Sequence, residues 1–274
     1  MKNRYAIING TFVLEDEAKI LISDLSIQRG YGIFDYFGTI NSRPVFLEDH
    51  LDRLYQSAAK INLTIDKDRA ELKEMLQQLI EKNNLPDAGI KITLTGGYSE
   101  DGYTVAKPNL LISQTAYSFN KEDFHKGTRL VTYNHQRQMS EVKTIDYLQA
   151  ICLQPFIKEN NADDVLYYDQ TDIRECPRAN FFIVTNNDEV LTPSKNILKG
   201  ITRKKILAFA EFNVKEAVIN LHALQNIKEA FITSTTKNVL PVLKIDGNTI
   251  GNGMPGEITT KIYNRLLSVK GIAG

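Results

Sequence analysis

The spacing of apolar residues along the 274-residue chain changes period several times, and the changes mark out its elements. YAIINGTFVL sets two β-rich runs around Asn9-Gly10, a strong hairpin signal because both turn residues tolerate positive φ. In FLEDHLDRLYQSAAKINL, Leu47, Leu51, Leu54, Ala58 and Ile61 recur at helical spacing, and DRAELKEMLQQLIEKNN repeats the pattern from Leu72 to Ile80. GIKITLTGG and NLLISQTAY are short apolar runs bounded by Gly and Pro, which predicts strands closing a small α/β unit. SFNKEDFHKG, residues 118–127, is polar and without period, and is the candidate linker.

Beyond it the signals alternate. Strands are expected at TRLVTYN, DVLYYD, NFFIVT, NVKEAVI, EAFITST and VLPVLKIDG, and helices at IDYLQAICLQPFIKENN, ITRKKILAFAEF and about Glu257 to Leu267. Turns fall at Gln170-Thr171-Asp172 and Asn186-Asn187-Asp188. The result is an α/β (α+β) chain in two domains: a small one over 1–117, a linker over 118–127, and a larger one with much antiparallel sheet over 128–274. No segment repeats at a fixed period or is of low complexity.

Composition narrows the partners. At 42% hydrophobic and 24% charged, the chain has material for two cores, and its zero formal net charge argues against nucleic acid or anionic lipid as partner. A small molecule fits better. Cys152 and Cys176 are too few for a disulfide framework or zinc site, and His50, His125, His135 and His222 lie far apart without ligand spacing, so no metal is expected. MKNRYAIING lacks the apolar core of a signal peptide and no run reaches membrane-spanning length, so a cytoplasmic protein is expected.

Candidate chemistry is scattered. Neither a Walker loop nor a dinucleotide fingerprint is present. In LKGITRKKIL, Gly200 precedes a helix starting near Ile201, so free backbone N–H groups and the Thr202 hydroxyl would point at an anion; in AFITSTTKN, Ser234, Thr235 and Thr236 crowd hydroxyls at a strand end. Taken singly, each is more often a cap or a strand terminus. Lys143, in SEVKTIDYLQA, reads by default as a surface lysine; its chemical alternative is an amine that forms a Schiff base with a carbonyl. IRECPRANFF carries Glu175 and Arg178 into an apolar strand, where charges need partners or water.

Six segments in series, RGYGIFDYF, HLDRLYQSAAKINLTI, EVKTIDYL, IRECPRANFF, ILKGITR and FITSTTKNVLPV, resemble the class IV aminotransferases, pyridoxal 5′-phosphate (PLP) enzymes of fold type IV. The resemblance implies a two-domain fold like that of D-amino-acid aminotransferase. It also implies roles. Lys143 matches the lysine that holds the cofactor covalently and then moves a proton, Glu175 the carboxylate that pairs with the pyridine nitrogen, and Arg53 the arginine that binds the phosphate, joined by Ile201, Thr202, Ser234 and Thr235. Leu198 matches the residue packed on the ring face, and Tyr147 the tyrosine bordering the lysine side. A homodimer is implied, with an amino acid and a 2-oxo acid as substrates.

Within the family the wording is nearest to the D-amino-acid aminotransferases, which implies a D-amino acid such as D-alanine or D-glutamate as donor and 2-oxoglutarate as acceptor. Branched-chain L-amino-acid transamination is the alternative, and an aminodeoxychorismate lyase-type reaction a second, since that lyase shares the lysine, the glutamate and the phosphate residues. The carboxylate-binding residues of the D-specific enzymes are missing here: Phe34 stands where their tyrosine would be, and Gly97 to Tyr103 holds neither Arg nor His. Arg178, with Arg29 from a neighbouring subunit, is the candidate replacement, because a planar guanidinium suits a carboxylate; the alternative is that Arg178 pairs with Glu100 or Asp101 and ties the loop down.

Overall fold

The computed structural model describes residues 4–117, 120 and 122–272. The chain divides into two compact units, Met1–Ser118 with Val142–Asp146, and Phe119–Glu141 with Tyr147–Gly274.

The first unit runs β1 (Tyr5–Ile8), β2 (Thr11–Leu14), α1 (Leu25–Arg29), β3 (Gly32–Ile40), β4 (Arg43–Pro44), α2 (Leu47–Lys60), α3 (Arg69–Asn83), β5 (Ala88–Thr95) and β6 (Leu110–Ala116). Its strands form one antiparallel sheet in the order β2-β1-β6-β5-β3-β4. The first hairpin turns through Asn9 (φ 50) and Gly10 (φ 87), the left-handed pair a two-residue turn requires. Leu51, Leu54 and Ala58 of α2, and Leu72, Leu76 and Leu79 of α3, pack over Ile33, Phe37, Ile90 and Ile92 on one face of the sheet. Asp68 caps α3 reciprocally with Glu71.

The strand pairing explains why Val142–Asp146 belongs with this unit rather than with the residues around it in sequence. Phe34 N donates to Lys143 O at 2.9 Å and Ile145 N to Gly32 O at 3.1 Å, a bridge along the end of β3 not covered by β4. The long strand β3 itself is not among the strands the apolar pattern predicts.

The second unit comprises α4 (Glu122–Lys126), β7 (Thr128–Asn134), α5 (Leu148–Cys152), α6 (Gln154–Glu159), β8 (Asp164–Asp169), β9 (Asp172–Ile173), β10 (Glu175–Cys176), β11 (Ala179–Val184), β12 (Val190–Pro193), α7 (Ile201–Leu207), β13 (Val214–Ala217), β14 (Glu229–Ser234), β15 (Asn238–Ile245), β16 (Asn248–Thr249) and α8 (Glu257–Val269). The sheet runs β13-β12-β11-β14-β15-β7-β8-β9, with β10 on β11 and β16 on β15; the β12–β13, β15–β7 and β7–β8 pairs are parallel. All six residues of β11 are buried because both faces are covered: Phe181 and Ile183 face one core, Phe182 and Val184 the other, where Phe182 stacks on Phe231 at 4.7 Å.

Three expectations change here. The linker span contains α4, whose Phe124 is buried and stacks on Tyr263 at 4.1 Å; residues 118, 119 and 121 of that span lie outside the described residues. The helix expected over IDYLQAICLQPFIKENN is two short ones, broken at Leu153 because Pro155 has no N–H to continue the first and opens the second. The helix from Ile201 ends at Leu207, well before Phe212.

Candidate functional site

In the first unit, α2 begins at Leu47 with Phe46 in the left-handed region (φ 56), and its apolar stripe fixes which residues flank it. His50, Arg53 and Ser57 fall on one neighbouring stripe, where residues three or four apart are side by side. His50 and Arg53 meet Asp35 of β3: Arg53 Nε donates to Asp35 Oδ2 at 2.8 Å, Arg53 Nη2 to Oδ1 at 2.9 Å, and His50 Nδ1 lies 2.6 Å from Oδ1. Burial alone would raise the Asp35 carboxyl, but the Arg53 guanidinium, with hydrogen bonds from His50 and Arg53, outweighs it and holds the acid well below the usual carboxylate range. Burial pushes the His50 imidazole down, against a smaller opposing effect of Asp35.

Lys143 sits on the bridge along β3. Its N–H makes a long 3.5 Å contact to Ser57 Oγ, and its Nζ lies 4.5 Å from the centroid of the Phe34 ring. Lys91 Nζ lies 5.0 Å from the same centroid, so two ammonium groups attend one ring. Across the sheet, Gly89 admits the Tyr36 ring: a Cβ there would come within 1.7 Å of its hydroxyl.

Arg29 ends α1, exposed, with Nη1 donating to Gln28 O at 2.7 Å. In the adjoining loop, Asp101 turns both oxygens inward, to Thr104, Tyr103 and Ser99. The Thr104 hydroxyl and N–H, then the Tyr103 N–H, hold its carboxyl well below the usual range. Asp101 therefore fixes its own loop.

The second unit gathers its chemistry around Glu175, which is 3% exposed. β10 and β11 form a tight hairpin with Pro177-Arg178 at its tip, and the register sets Glu175 opposite Asn180, which in turn opposes Thr233 of β14. Arg137 Nη1 donates to Glu175 Oε1 at 2.8 Å, Asn180 Nδ2 to Oε2 at 3.0 Å, and Leu198 N lies 3.1 Å from both oxygens. Such a donor set suits a carboxylate, which only accepts. Asn180 Nδ2 also donates to Leu198 O at 2.7 Å, and a Cβ on Gly200 would fall 2.1 Å from Asn180 Oδ1, so Gly200 lets the loop close on this amide.

From Gly200 the chain enters α7, with Ile201 and Thr202 buried in its first turn and no side chain capping it. Ser234 ends β14 half-buried, its Oγ accepting from Lys237 N at 3.1 Å; Thr235 follows it, also half-buried. Tyr147, half-buried, opens α5. Arg178 is exposed, and shares the lining of a cleft of about 650 Å³ with Tyr147, Ile151, Lys158 and Pro177.

The residues named from the sequence fall in both units, Arg53, Lys143, Phe34 and Arg29 in the first, and Tyr147, Glu175, Arg178, Leu198, Ile201, Thr202, Ser234 and Thr235 in the second. Not among them are Asp35, Arg137 and Asn180, which bind the named residues directly, and His50, which bonds to Asp35. The i, i+3 spacing of His50 and Arg53 was the signal for one of these; Asn180 faces Glu175 across a tight hairpin, and Asp35 and Arg137 meet their partners from more distant segments.

By side-chain chemistry, the residues named in each unit taken by itself suit parts of a pyridine ring bearing a phosphate. Glu175 is a buried acid inside a donor cage, Arg53 a guanidinium with donors to spare, and Lys143 a primary amine beside an aromatic ring. Among the described residues, the Thr233 hydroxyl, in the same cross-strand row as Glu175, is buried without a hydrogen-bond partner. No group of three or more metal-ligating side chains occurs among them, and no helix is long and apolar enough to cross a membrane.

Comparison with known proteins gives the same direction. A family model described as Amino-transferase class IV matches residues 32–245. The chain is 30% identical to a D-alanine aminotransferase of Bacillus licheniformis, over 96% of this chain and 97% of that one. It is also 30% identical to a putative branched-chain-amino-acid aminotransferase of Methanocaldococcus jannaschii, over 96% and 95% of the two chains. Among solved structures, the branched-chain amino acid aminotransferase of Escherichia coli superposes with a TM-score of 0.90 at 23% identity, covering 98% of this chain and 95% of the other. A hypothetical aminotransferase from Mycobacterium tuberculosis in its PLP-bound form reaches 0.84 at 17%, covering 97% and 98%.

Proposed function

The chain belongs to the class IV aminotransferases, enzymes that use pyridoxal 5′-phosphate, and on that premise we propose that it transfers the amino group of a D-amino acid, D-alanine or D-glutamate, to 2-oxoglutarate. The observation that carries the choice of donor is the 30% identity to a D-alanine aminotransferase along nearly the whole of both chains. The Methanocaldococcus jannaschii relative, at the same identity, favours branched-chain L-amino acids as the second reading. At 17% and 23% identity, the structural likenesses support the fold and leave the substrate open.

When bound, the cofactor supplies an electron sink for the pair left on the substrate Cα as its proton departs. In this reading Lys143 Nζ would hold the cofactor covalently, and the same amine, when free, would take up the substrate Cα proton and give it back. Glu175 keeps the pyridine nitrogen protonated, held in place by Arg137, Asn180 and the Leu198 N–H. Arg53 binds the phosphate with the Ile201 and Thr202 N–H groups and the Ser234 and Thr235 hydroxyls. Leu198 would pack on the ring face and Tyr147 border its lysine side, and Phe34 lies beside Lys143. A homodimer in the cytoplasm completes the reading, and light scattering tests the dimer.

Arg178, with Arg29 of a neighbouring subunit, is assigned to the substrate carboxylate. Arg178→Ala is expected to raise KM on the order of 10- to 100-fold, the loss of a charge-assisted bond, with the cofactor still bound. An unchanged KM removes Arg178 from the site.

The donor is tested by the half-reaction. The yellow protein is mixed with one amino acid and no acceptor, and its absorbance is followed. D-alanine or D-glutamate is expected to bleach the band and 2-oxoglutarate to restore it. Bleaching by L-leucine alone selects the branched-chain reading, and bleaching by none of them rejects both.

A further inference from the structure

We propose that Asp35 and His50 are positioning residues that set the Arg53 guanidinium for a phosphate before any ligand arrives. The inference rests on the reading of Arg53 as the phosphate ligand. A guanidinium carries five N–H donors in a flat fork with diverging edges. Asp35 takes one edge, through Arg53 Nε at 2.8 Å and Nη2 at 2.9 Å. The end-on edge, Nη1 with the second Nη2–H, remains for a second anion, which is the bidentate geometry a phosphate accepts.

Both positioning groups are locked by the fold. Asp35 is 1% exposed, on the core face of β3, and His50 is 2% exposed, with its ring 5.6 Å from that of Phe37. A carboxylate only accepts, so at 2.6 Å from Asp35 Oδ1 the His50 Nδ1 donates. Nδ1 therefore has no lone pair for Arg53 Nη2, 3.3 Å away, and that approach is a contact rather than a bond. Arg53 itself is 11% exposed. An arginine fixed in this way loses little freedom on binding, whereas an unpaired one must be ordered by the ligand.

Asp35 would serve equally well as a competitor that neutralises Arg53, and the two roles predict opposite results. Protein stripped of cofactor by dialysis is titrated with pyridoxal phosphate and with pyridoxal, which lacks the phosphate, and the absorbance of the adduct gives each Kd. Asp35→Asn is expected to raise the Kd of pyridoxal phosphate on the order of 10- to 100-fold while leaving that of pyridoxal within about twofold. His50→Phe, which keeps the ring and removes the donor, is expected to shift it several-fold in the same direction, and His50→Asn, which returns a donor near the Nδ1 position, to restore it. Equal loss for both ligands assigns Asp35 and His50 to the fold alone, and unchanged or tighter binding of pyridoxal phosphate makes Asp35 a bystander or a competitor; each overturns the proposal. Should Asp35→Asn fail to fold, the two His50 variants decide by the same criteria. Arg53→Met separates the readings: if it keeps the wild-type preference for pyridoxal phosphate, the role of Arg53 fails, and if only Asp35→Asn keeps it, the present inference fails.

Discussion

Lys143→Ala is expected to lower transamination by at least about 10³- to 10⁴-fold and to leave a protein without the yellow band. One side chain is asked for two services, covalent capture and proton transfer, and positioned proton transfer alone contributes about 10²- to 10⁴-fold. The structure keeps the two separable from folding. Lys143 is held to β3 through backbone bonds, Phe34 N to Lys143 O and Ile145 N to Gly32 O, which alanine makes equally well. Its ammonium lies against the Phe34 ring rather than inside a packed core. Thermal unfolding of the variant is therefore expected close to wild type, with activity measured by 2-oxo acid formation and cofactor retention by absorbance.

Glu175→Gln is the second large effect and differs in kind, because it damages the fold as well as the chemistry. A glutamine amide has one oxygen and one NH₂, whereas Glu175 meets donors on both oxygens: Arg137 on Oε1, Asn180 on Oε2 and Leu198 N between them. Whichever way the amide turns, its NH₂ faces one of these donors, and Arg137, 14% exposed, loses its counter-charge. Removing one partner of a buried ion pair costs about 3–5 kcal/mol. The variant is expected to unfold at lower denaturant and to lose kcat by about 10²- to 10³-fold, the range for one preorganised electrostatic partner. Glu175→Asp keeps the charge at shorter reach and is expected to lose less of both. Denaturant titration beside steady-state kinetics checks the pair, and a Glu175→Gln enzyme of normal kcat would remove Glu175 from the pyridine nitrogen.

Much of the fold was legible because local chemistry fixed it. Asn9-Gly10 could make only one kind of turn, and the apolar stripes of α2 and α3 each matched one face. What escaped was where function or distance interferes. β3 puts Asp35 among the buried residues of its core face, so the alternation that marks a strand is broken by a residue kept for Arg53. Lys143 joins the first unit through a bridge to Gly32–Phe34, a pairing across more than a hundred residues that no local pattern announces. Pro155 is legible as a helix break, yet the long apolar period around it conceals the interruption.

The candidate site divides along the same line. Lys143, Arg53 and Glu175 were found through a resemblance carried by whole segments, whereas Asp35, Arg137 and Asn180, which bind Arg53 and Glu175, and His50, which binds Asp35, emerged from the geometry. Arg178 shows the limit of reading by position in the chain. Three residues after Glu175, it lies at the tip of a two-residue turn, exposed, and lining a cleft with Tyr147 and Lys158. Its place is set by the hairpin register, in which a single residue of offset changes the face.

The central claim is that this chain is a pyridoxal phosphate aminotransferase whose cofactor is carried on Lys143. Borohydride reduction of the yellow wild-type protein, followed by peptide mapping, tests it most directly. The account predicts a pyridoxyl group fixed irreversibly on the peptide containing Lys143, and no labelled peptide after D-alanine has first bleached the protein. A label on another lysine, or none in a protein that is yellow, would contradict it.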